Sequence, residues 1–172
     1  AVTILYFTAF NEERQRLVEI ARSQARLVET VSEFNRKYSA GVHPEGAFGA
    51  TLSQFGKARE KNLGFGKTGE VCLVELKGNK ITFLLGPRHI ERGKGGDENL
   101  LMGSSLGRPS QNALSGRSGS IVGLDYRGEK VLAAYEPVHW PGKTLGIIVK
   151  IDISQIRWPY VKAGIITSLC LL

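Results

Sequence analysis

An arginine and a histidine that stand side by side after an apolar run are the first residues able to do chemistry. Arg88 and His89 follow the run Lys80–Leu85 and precede a glycine-rich, charged stretch that extends to Gly107. An arginine at a strand end beside a long loop would suit a carboxylate or phosphate ligand, which a guanidinium binds through two parallel hydrogen bonds. The alternative for Arg88 is a solvated charge. For His89 it is an exposed ring rather than one that tunes such a site.

A tyrosine within an apolar run is the second candidate. Tyr135 lies on the same face of the run Lys130–Pro137 as Val131 and Ala133, because side chains alternate along a strand. Small neighbours would leave space for a ligand beside the ring, with the hydroxyl directed into it. The alternative is a core tyrosine whose hydroxyl binds a backbone group.

A predicted turn, Asp125-Tyr126-Arg127-Gly128, and the residues before it supply the remaining candidates. Asp125 would most often cap such a turn through its carboxylate, with ligand contact as the alternative. Arg117 precedes the neighbouring strand, and the predicted fold places it near the same rim. The sequence therefore predicts a small-molecule site formed by Arg88, Tyr135, Asp125, Tyr126, Arg117 and His89.

No catalytic arrangement of nucleophile and base is recognisable. His43, His89 and His139 are scattered, and neither a Ser/His/Asp or Cys/His pattern nor a metal-ligand spacing emerges. The segment Gly64–Glu70 (GFGKTGE) has glycines at the spacing of a dinucleotide-binding loop. However, it follows a helical pattern and precedes a strand, the reverse of the required order. The chain as a whole is therefore predicted to be non-catalytic, with no cofactor and no metal.

Composition and charge predict a folded domain without a nucleic-acid footprint. The 172 residues include 23 Lys and Arg against 16 Asp and Glu, a net charge of +7, and the basic residues are interleaved with acids. A protein that binds nucleic acid would concentrate its positive charge on one face or run. Cys72 and Cys170 show no disulfide or metal spacing, so we expect two small buried apolar side chains.

Apolar segments stand at both ends of the chain. Residues 1–10 (AVTILYFTAF) and Val161–Leu172 (VKAGIITSLCLL) are shorter than the ~20 residues that cross a bilayer. Trp158 and Tyr160 stand where an interfacial aromatic belt would lie. We expect residues 1–10 to end one transmembrane helix and 158–172 to begin another, with an extracytoplasmic domain over 11–157. Buried terminal helices are the alternative.

The segments between these ends predict helices and a sheet. Apolar residues at spacings of three and four predict a long helix over 11–38 and a shorter one over 50–62. Runs rich in Val, Ile, Leu and Tyr predict five strands, at 70–76, 80–85, 120–124, 130–137 and 144–151. A short helix over 108–114 precedes the third strand, and Asp152 with Gln155 can cap a last helix. This order predicts an α+β, PAS-like fold with an antiparallel sheet, helices on one face and a pocket on the other.

Several stretches taken together resemble a known family. These are GFGKTGEVCLVE, ITFLLGPRH, ALSGRSGSIVGLDYRGEKVLAAYEPV and LGIIVKID. Residues 48–157 are similar to single Cache-type (PAS-like) domains, the extracytoplasmic sensor regions of bacterial histidine kinases. The resemblance implies a homodimer anchored at both ends in the bacterial inner membrane, with this segment in the periplasm. The arginine and Trp-Tyr group of amino-acid-binding Cache domains is not visible, so the resemblance carries no ligand.

Two functions follow as expectations. In the first, a small molecule binds between the sheet and the connection 88–107, where Arg88 would suit an anion. The last strand then passes the change into the helix after Asp152, and the parent protein is a two-component sensor histidine kinase. In the second, the chain is an interaction module without a small-molecule ligand, and its helix 11–38 dimerises. An open pocket would favour the first function, and a filled core the second.

Overall fold

The computed structural model describes residues 2–38, 41, 45–61, 68–86 and 100–169. Arg88, His89 and Cys170, and residues 62–67 of the glycine-rich segment, lie outside the described residues. The predictions made for them therefore stay predictions.

The described helices are α1 (Val2–Tyr38), α2 (Gly46–Lys61), α3 (Arg108–Leu114) and α4 (Ile153–Leu169). Helix α1 begins inside the terminal apolar segment, and α4 continues beyond residue 158. Both helices therefore cross the predicted domain boundaries without a break. The boundaries themselves stay predictions.

The described strands are β1 (Glu70–Lys77), β2 (Lys80–Leu85), β3 (Gly119–Leu124), β4 (Lys130–Trp140) and β5 (Lys143–Asp152). They form one five-stranded antiparallel sheet in the order β2-β1-β5-β4-β3. The central position of the last strand between the first and the fourth is the PAS-like arrangement, so the predicted fold is confirmed.

Strand β4 continues beyond its predicted end, through Pro137 to Trp140. Proline cannot donate to a ladder and is tolerated where a strand has a free edge. The β3–β4 pairing stops at Tyr135, so among the described strands Pro137 is paired only with β5. Beyond it, the His139 N–H donates to Glu29 Oε1 of α1 at 2.7 Å instead of to a strand.

One face of the sheet, here called the α1 face, is covered by α1 and α2. The α1 residues that pack on it recur at helical spacing: Leu17, Ala21, Ala25 and Val28. The strands contribute alternate side chains to the same core, including Leu132, Ile147, Val149 and Ile151. This core combines the periods of an amphipathic helix and a half-buried strand, as the sequence pattern predicts.

The opposite face, here called the α3 face, is covered by α3 and the segment before it. Gly146 of β5 allows a close approach, because a Cβ there would lie 2.6 Å from Ala113 Cβ of α3. The buried Gln111 side chain holds the preceding segment, accepting from Gly103 N–H and donating to the carbonyl oxygens of Ser104 and Leu106. Helix α3 and the segment that Gln111 anchors therefore cover the middle of this face.

The first turns of α1 and the middle of α4 lie side by side. The Tyr6 and Tyr160 rings meet edge to face, with centroids 5.6 Å apart. Large apolar side chains around them are exposed, among them Ile4, Leu5, Phe7, Trp158 and Ile165. In the part of the chain that the structure describes, no helix combines the length and apolar character of a membrane span.

Candidate functional site

A lysine lies buried at one end of the α3 face. Lys150 is near the end of β5, directly opposite Glu70 of β1 and Ala133 of β4. Because side chains alternate along a strand, Lys150 projects to the same face as Ile148, whereas Val149 and Ile151 project into the α1 face. Only 2% of Lys150 is exposed.

Two buried carboxylates contact the ammonium of Lys150. The Nζ donates a short hydrogen bond to Asp125 Oδ2 and lies 2.9 Å from Glu70 Oε2. The second contact is an ion pair without hydrogen-bonding geometry, since Glu70 Oε2 has no hydrogen-bond partner in the described part of the chain. Removing a charge from water is costly unless partners compensate it. The two carboxylates compensate Lys150 from two different elements.

Tyr126 completes this group, here called the Lys150 cluster (Lys150, Glu70, Asp125 and Tyr126). Its ring lies over the ammonium, with the Lys150 Nζ 4.5 Å from the ring centroid. An edge-to-face contact with Phe83, at 5.3 Å between centroids, holds the ring. Its hydroxyl is buried and has no hydrogen-bond partner among the described residues. Burial, and next to it the charge of Glu70, raises the Tyr126 pKa well above its ordinary value.

The turn between β3 and β4 positions Asp125 for two tasks. Asp125 Oδ1 accepts from the backbone N–H groups of Arg127 at 2.8 Å and Glu129 at 3.2 Å, which is how an aspartate caps a turn. Gly128 adopts a positive φ of 80° that closes the turn. The other carboxylate oxygen is thereby directed at Lys150. Burial alone would raise the Asp125 pKa, but hydrogen bonding and charge from Lys150, aided by Arg127, hold it below 3.8.

Arg127 connects the cluster to the start of α4. Its Nε donates to Asp125 Oδ2 at 2.8 Å, and its Nη2 donates to Asp152 Oδ1 at 2.7 Å. Burial would lower the Arg127 pKa, but the hydrogen bonds to the two aspartates raise it overall. Asp152 is the last residue of β5 and directly precedes α4. A continuous line of charged contacts therefore runs from the α3 face to the last helix.

The predicted capping box of α4 is replaced by contacts to Thr68. The Asp152 N–H donates to Thr68 Oγ1 at 3.1 Å. Gln155 Oε1 accepts from both the N–H and the hydroxyl of Thr68, at 2.7 and 2.8 Å. The segment before β1 therefore fixes the first turn of α4, a role that a local capping motif cannot reveal.

A small cavity adjoins the Lys150 cluster beneath α3. Its lining consists of Cys72, Phe83, Gly107, Pro109, Ser110, Asp125, Tyr126, Ile148 and Lys150. About 10 Å³ of it can hold solvent, which is room for roughly one water molecule. Among the described residues, the space on this face is therefore filled mainly by the chain's own side chains.

The structure divides the predicted site residues between two places. Asp125 and Tyr126 come together in the Lys150 cluster. Tyr135 lies at the opposite end of the β3–β4 pair, where a Cβ on its register partner Gly119 would stand 3.3 Å from its hydroxyl. Arg117 is exposed and donates to Asn112 Oδ1 of α3 at 2.6 Å. Arg88 and His89 lie outside the described residues.

Sequence reasoning missed Lys150, Glu70 and Arg127. A detectable signal existed for Lys150, because a charge inside the apolar run LGIIVKID is rare unless the charge is paired. No such signal marked its partners. Glu70 stands at a strand start, and Arg127 belongs to a turn that would ordinarily be exposed.

No protein-family model and no curated protein match the chain. Distant similarity exists to solved sensory domains of bacterial chemoreceptors. The sensory domain of Campylobacter jejuni Tlp3 (CcmL) is 12% identical with a TM-score of 0.39, covering 88% of this chain and 65% of that one. The ligand-binding domain of Tlp3 in complex with L-valine is 13% identical with a TM-score of 0.41, covering 91% and 66%.

A third solved structure is the ligand-binding domain of the Pseudomonas aeruginosa PAO1 amino acid chemoreceptor PctC in complex with GABA. It is 16% identical with a TM-score of 0.31, covering 84% of this chain and 63% of that one. The chain thus spans slightly less than two thirds of these domains' length. Similarity at this level assigns neither a ligand nor a function to the chain.

Proposed function

We propose that this chain is the extracytoplasmic ligand-sensing domain of a bacterial transmembrane signal-transduction receptor. The observation that supports this function best is the line of charged contacts from Lys150 through Asp125 and Arg127 to Asp152. It starts on the face that a ligand would use and ends at Asp152, directly before α4. A ligand that alters the charge balance at Asp125 therefore acts directly on the start of that helix.

The proposed mechanism is a shift between two arrangements of the Arg127 side chain. Arg127 shares its donors between Asp125 and Asp152. A ligand that competes for Asp125 releases the part of the Arg127 guanidinium that binds Asp125. The contact between Arg127 and Asp152, at the end of β5, then changes. The ligand shifts the population only by the difference in its affinity for the two arrangements. Because β5 leads into α4 without a linker, α4 moves with it.

The proposed setting is the bacterial inner membrane, with the described sheet in the periplasm. The adjacent ends of α1 and α4 expose apolar side chains such as Phe7 and Trp158, which suits entry into a bilayer beside an aromatic belt. The parent protein in this proposal is a two-component sensor histidine kinase with its catalytic part outside this chain. Residues 1–10 would end one membrane helix and residues 158–172 would begin another.

A distance measurement between the two ends tests the mechanism. Spin labels at Phe7→Cys and Trp158→Cys, with Cys72 and Cys170 replaced by Ala, report the α1–α4 distance. A thermal-shift screen of carboxylates, amino acids and sugars supplies the compound, since specific binding raises the melting temperature by mass action. We expect the compound to shift the distance distribution.

Two variants make this test specific to the proposed route. Arg127→Gln should abolish the distance change and leave the thermal shift, whereas the exposed Lys130→Gln should leave both. A compound that binds without changing the distance distribution in the parent protein would refute the route through Arg127.

The small cavity favours a second function, an interaction module without a small-molecule ligand. A site with room for roughly one water molecule needs no external occupant. Helix α1 also exposes Leu27, Phe34 and Tyr38, a stripe at the spacing through which helices pair. In this case Phe34→Glu should convert a dimer into a monomer in sedimentation equilibrium, and no compound in the thermal-shift screen should bind. A monomeric parent protein would exclude dimerisation through α1.

A further inference from the structure

Two buried carboxylates at one point on the α3 face require a cation between them. Glu70 and Asp125 come from β1 and from the β3–β4 turn, and only 5% and 3% of them are exposed. Both carboxylates contact the same nitrogen and therefore lie close together. Two negative charges so close to each other cannot both remain ionised without a compensating positive charge. Arg127 reaches Asp125 from the partly exposed side, but Glu70 has no described cation in contact except Lys150.

The surroundings of the cation have the features that recognise an ammonium ion. The face of the Tyr126 ring lies over the nitrogen at 4.5 Å, a position at which the ring quadrupole attracts a cation. Glu70 Oε2 and the Tyr126 hydroxyl are buried, and neither has a hydrogen-bond partner within the residues that the structure describes. Two carboxylates from separate elements and one aromatic face thus enclose the ammonium of a lysine that is only 2% exposed.

We propose that Glu70, Asp125 and the ring of Tyr126 form a binding site for a primary ammonium group, which Lys150 fills from within the chain. The ligand class of the site is thus a primary alkylammonium, and the lysine side chain is its tethered occupant. The inference deepens the proposed function by naming the chemistry of the same face. It rests on that function only for the role of the site in sensing, because the binding chemistry follows from the cluster itself.

Shortening the lysine should open the site to a free amine. Lys150→Ala removes the atoms from Cγ to Nζ, which are the atoms of propylammonium. In the Lys150→Ala chain we expect propylammonium at roughly 100 times its Kd to raise the melting temperature by about 5–10 °C. Ethylammonium and butylammonium should bind more weakly, since one is too short to reach the carboxylates and the other is too long for the space.

Matched ligands and variants separate this site from unspecific salt effects. Tetramethylammonium has the charge but no N–H donor, and 1-propanol has similar size but no charge, so neither should stabilise the variant. Wild type and Lys150→Met should not respond to propylammonium, because a side chain fills the space. Lys143→Ala, which shortens the other carboxylate-bound lysine of β5, should not respond either. Adding Glu70→Gln to Lys150→Ala should weaken binding at least tenfold.

Each outcome decides the inference. Equal stabilisation by propylammonium and tetramethylammonium, or none by propylammonium, would overturn it. If Lys150→Ala is unfolded, propylammonium should restore its folded circular dichroism spectrum, and absence of rescue counts against the site.

A measurement on the wild-type chain provides an independent test. Its NMR spectrum should show an ammonium resonance for Lys150, protected from exchange at neutral pH, with ε-methylene protons shifted upfield by the Tyr126 ring. Tyr126→Leu should abolish the upfield shift. An unprotected Lys150 ammonium with unshifted ε-protons would overturn the inference without any variant of Lys150.

The two proposals fail separately. Suppose that propylammonium binds Lys150→Ala but that the compound from the thermal-shift screen leaves the α1–α4 label distance unchanged. The sensing route through Arg127 would then be refuted, and the ammonium site would stand. The opposite result, a ligand-dependent label distance with no amine binding, would leave the sensing function and remove the ammonium site.

Discussion

Two lysines of β5 lie on opposite faces of the sheet and have similar sets of neighbours. Lys143 projects to the α1 face, donates to Glu75 Oε1 at 2.6 Å and lies 4.3 Å from the ring centroid of Phe48. Together with Glu75 and Phe48 it forms the Lys143 cluster. Lys150, on the α3 face, also has carboxylates and an aromatic ring around its ammonium. Both clusters therefore combine a lysine, an acid and a ring.

The two clusters differ in solvent exposure and in their connections. The Lys143 side chain is 31% exposed and that of Lys150 only 3%. Lys143 compensates one carboxylate, which also has Lys77 nearby at 3.3 Å. Lys150 compensates two carboxylates and is linked through Asp125 and Arg127 to the start of α4. Residue types alone therefore do not distinguish a rim ion pair from a candidate site, whereas burial and connection do.

Neutralising each lysine in turn should give the largest difference between the clusters. We expect Lys150→Met to lower the free energy of unfolding by about 3–5 kcal/mol, because it leaves two buried carboxylates without their cation. Lys143→Met should cost less, about 1–3 kcal/mol, because Glu75 is buried but keeps Lys77 as a second cation 3.3 Å away. Urea denaturation followed by circular dichroism measures both values. Equal losses would show that the two clusters are equivalent.

A pair of glycines that both face α3 should show how tightly this helix covers the side of the sheet that carries the Lys150 cluster. Gly146→Ala places a Cβ 2.6 Å from Ala113 Cβ, so we expect a cost of about 1–3 kcal/mol from overpacking. Gly123→Ala is the matched control, because its Cβ would lie 3.7 Å from Arg108 Cβ, an ordinary contact. Thermal unfolding of the two variants compares them. A cost for Gly123→Ala as large as that for Gly146→Ala would argue against a tightly seated α3.

Most of the fold could be predicted from the sequence because its signals are local. The Ile-, Val- and Leu-rich run Thr144–Ile151 and turn residues such as Gly142 predict strands and their limits. The arrangement of five strands around one inserted helix predicts the sheet. The end of β4 could not be predicted in this way. Whether Pro137 stops a strand depends on where β3 ends, and that depends on pairing between separate segments.

The candidate site was less predictable because its members meet only through the sheet register. Asp125 and Tyr126 could be selected from their turn, and the cap predicted for Asp125 is present. Glu70 is opposite Lys150 only because β1 pairs with β5, strands separated by most of the domain. Tyr135 has the expected alternation, but the same register places it at the far end of the face from Asp125.

Acid titration should show a smaller effect, carried by Asp125 of the Lys150 cluster. The folded-state pKa of Asp125 lies below its ordinary value of 3.8. The unfolded chain therefore takes up this proton first as the pH falls. The stability contributed by Asp125 is complete above pH 3.8 and is lost as the pH falls below it. In Asp125→Asn the urea midpoint should fall less between pH 6 and pH 2 than it does in wild type. In Glu129→Gln, which alters an exposed acid of the same turn, the fall should equal that of wild type.

Converting the ring of one cluster into that of the other should have the smallest effect. Tyr126→Phe gives the Lys150 cluster the hydroxyl-free ring that Phe48 supplies to Lys143. The Tyr126 hydroxyl is buried and has no hydrogen-bond partner among the residues described, so its removal should change stability at neutral pH by less than about 1 kcal/mol.

Alkaline pH separates wild type from this variant. Burial raises the folded-state pKa of Tyr126 above its ordinary value of 10.0, so above pH 10 the unfolded chain releases this proton and the folded chain keeps it. The stability from this group is therefore present below pH 10 and declines as the pH rises. Tyr126→Phe should lose less stability between pH 10 and 12 than wild type, measured by urea midpoints, whereas Tyr160→Phe serves as the control with a phenol outside the cluster. If stability declines equally in wild type and Tyr126→Phe, the Tyr126 hydroxyl must reach water. The ring would then move away from Lys150 at times instead of covering it in a fixed position.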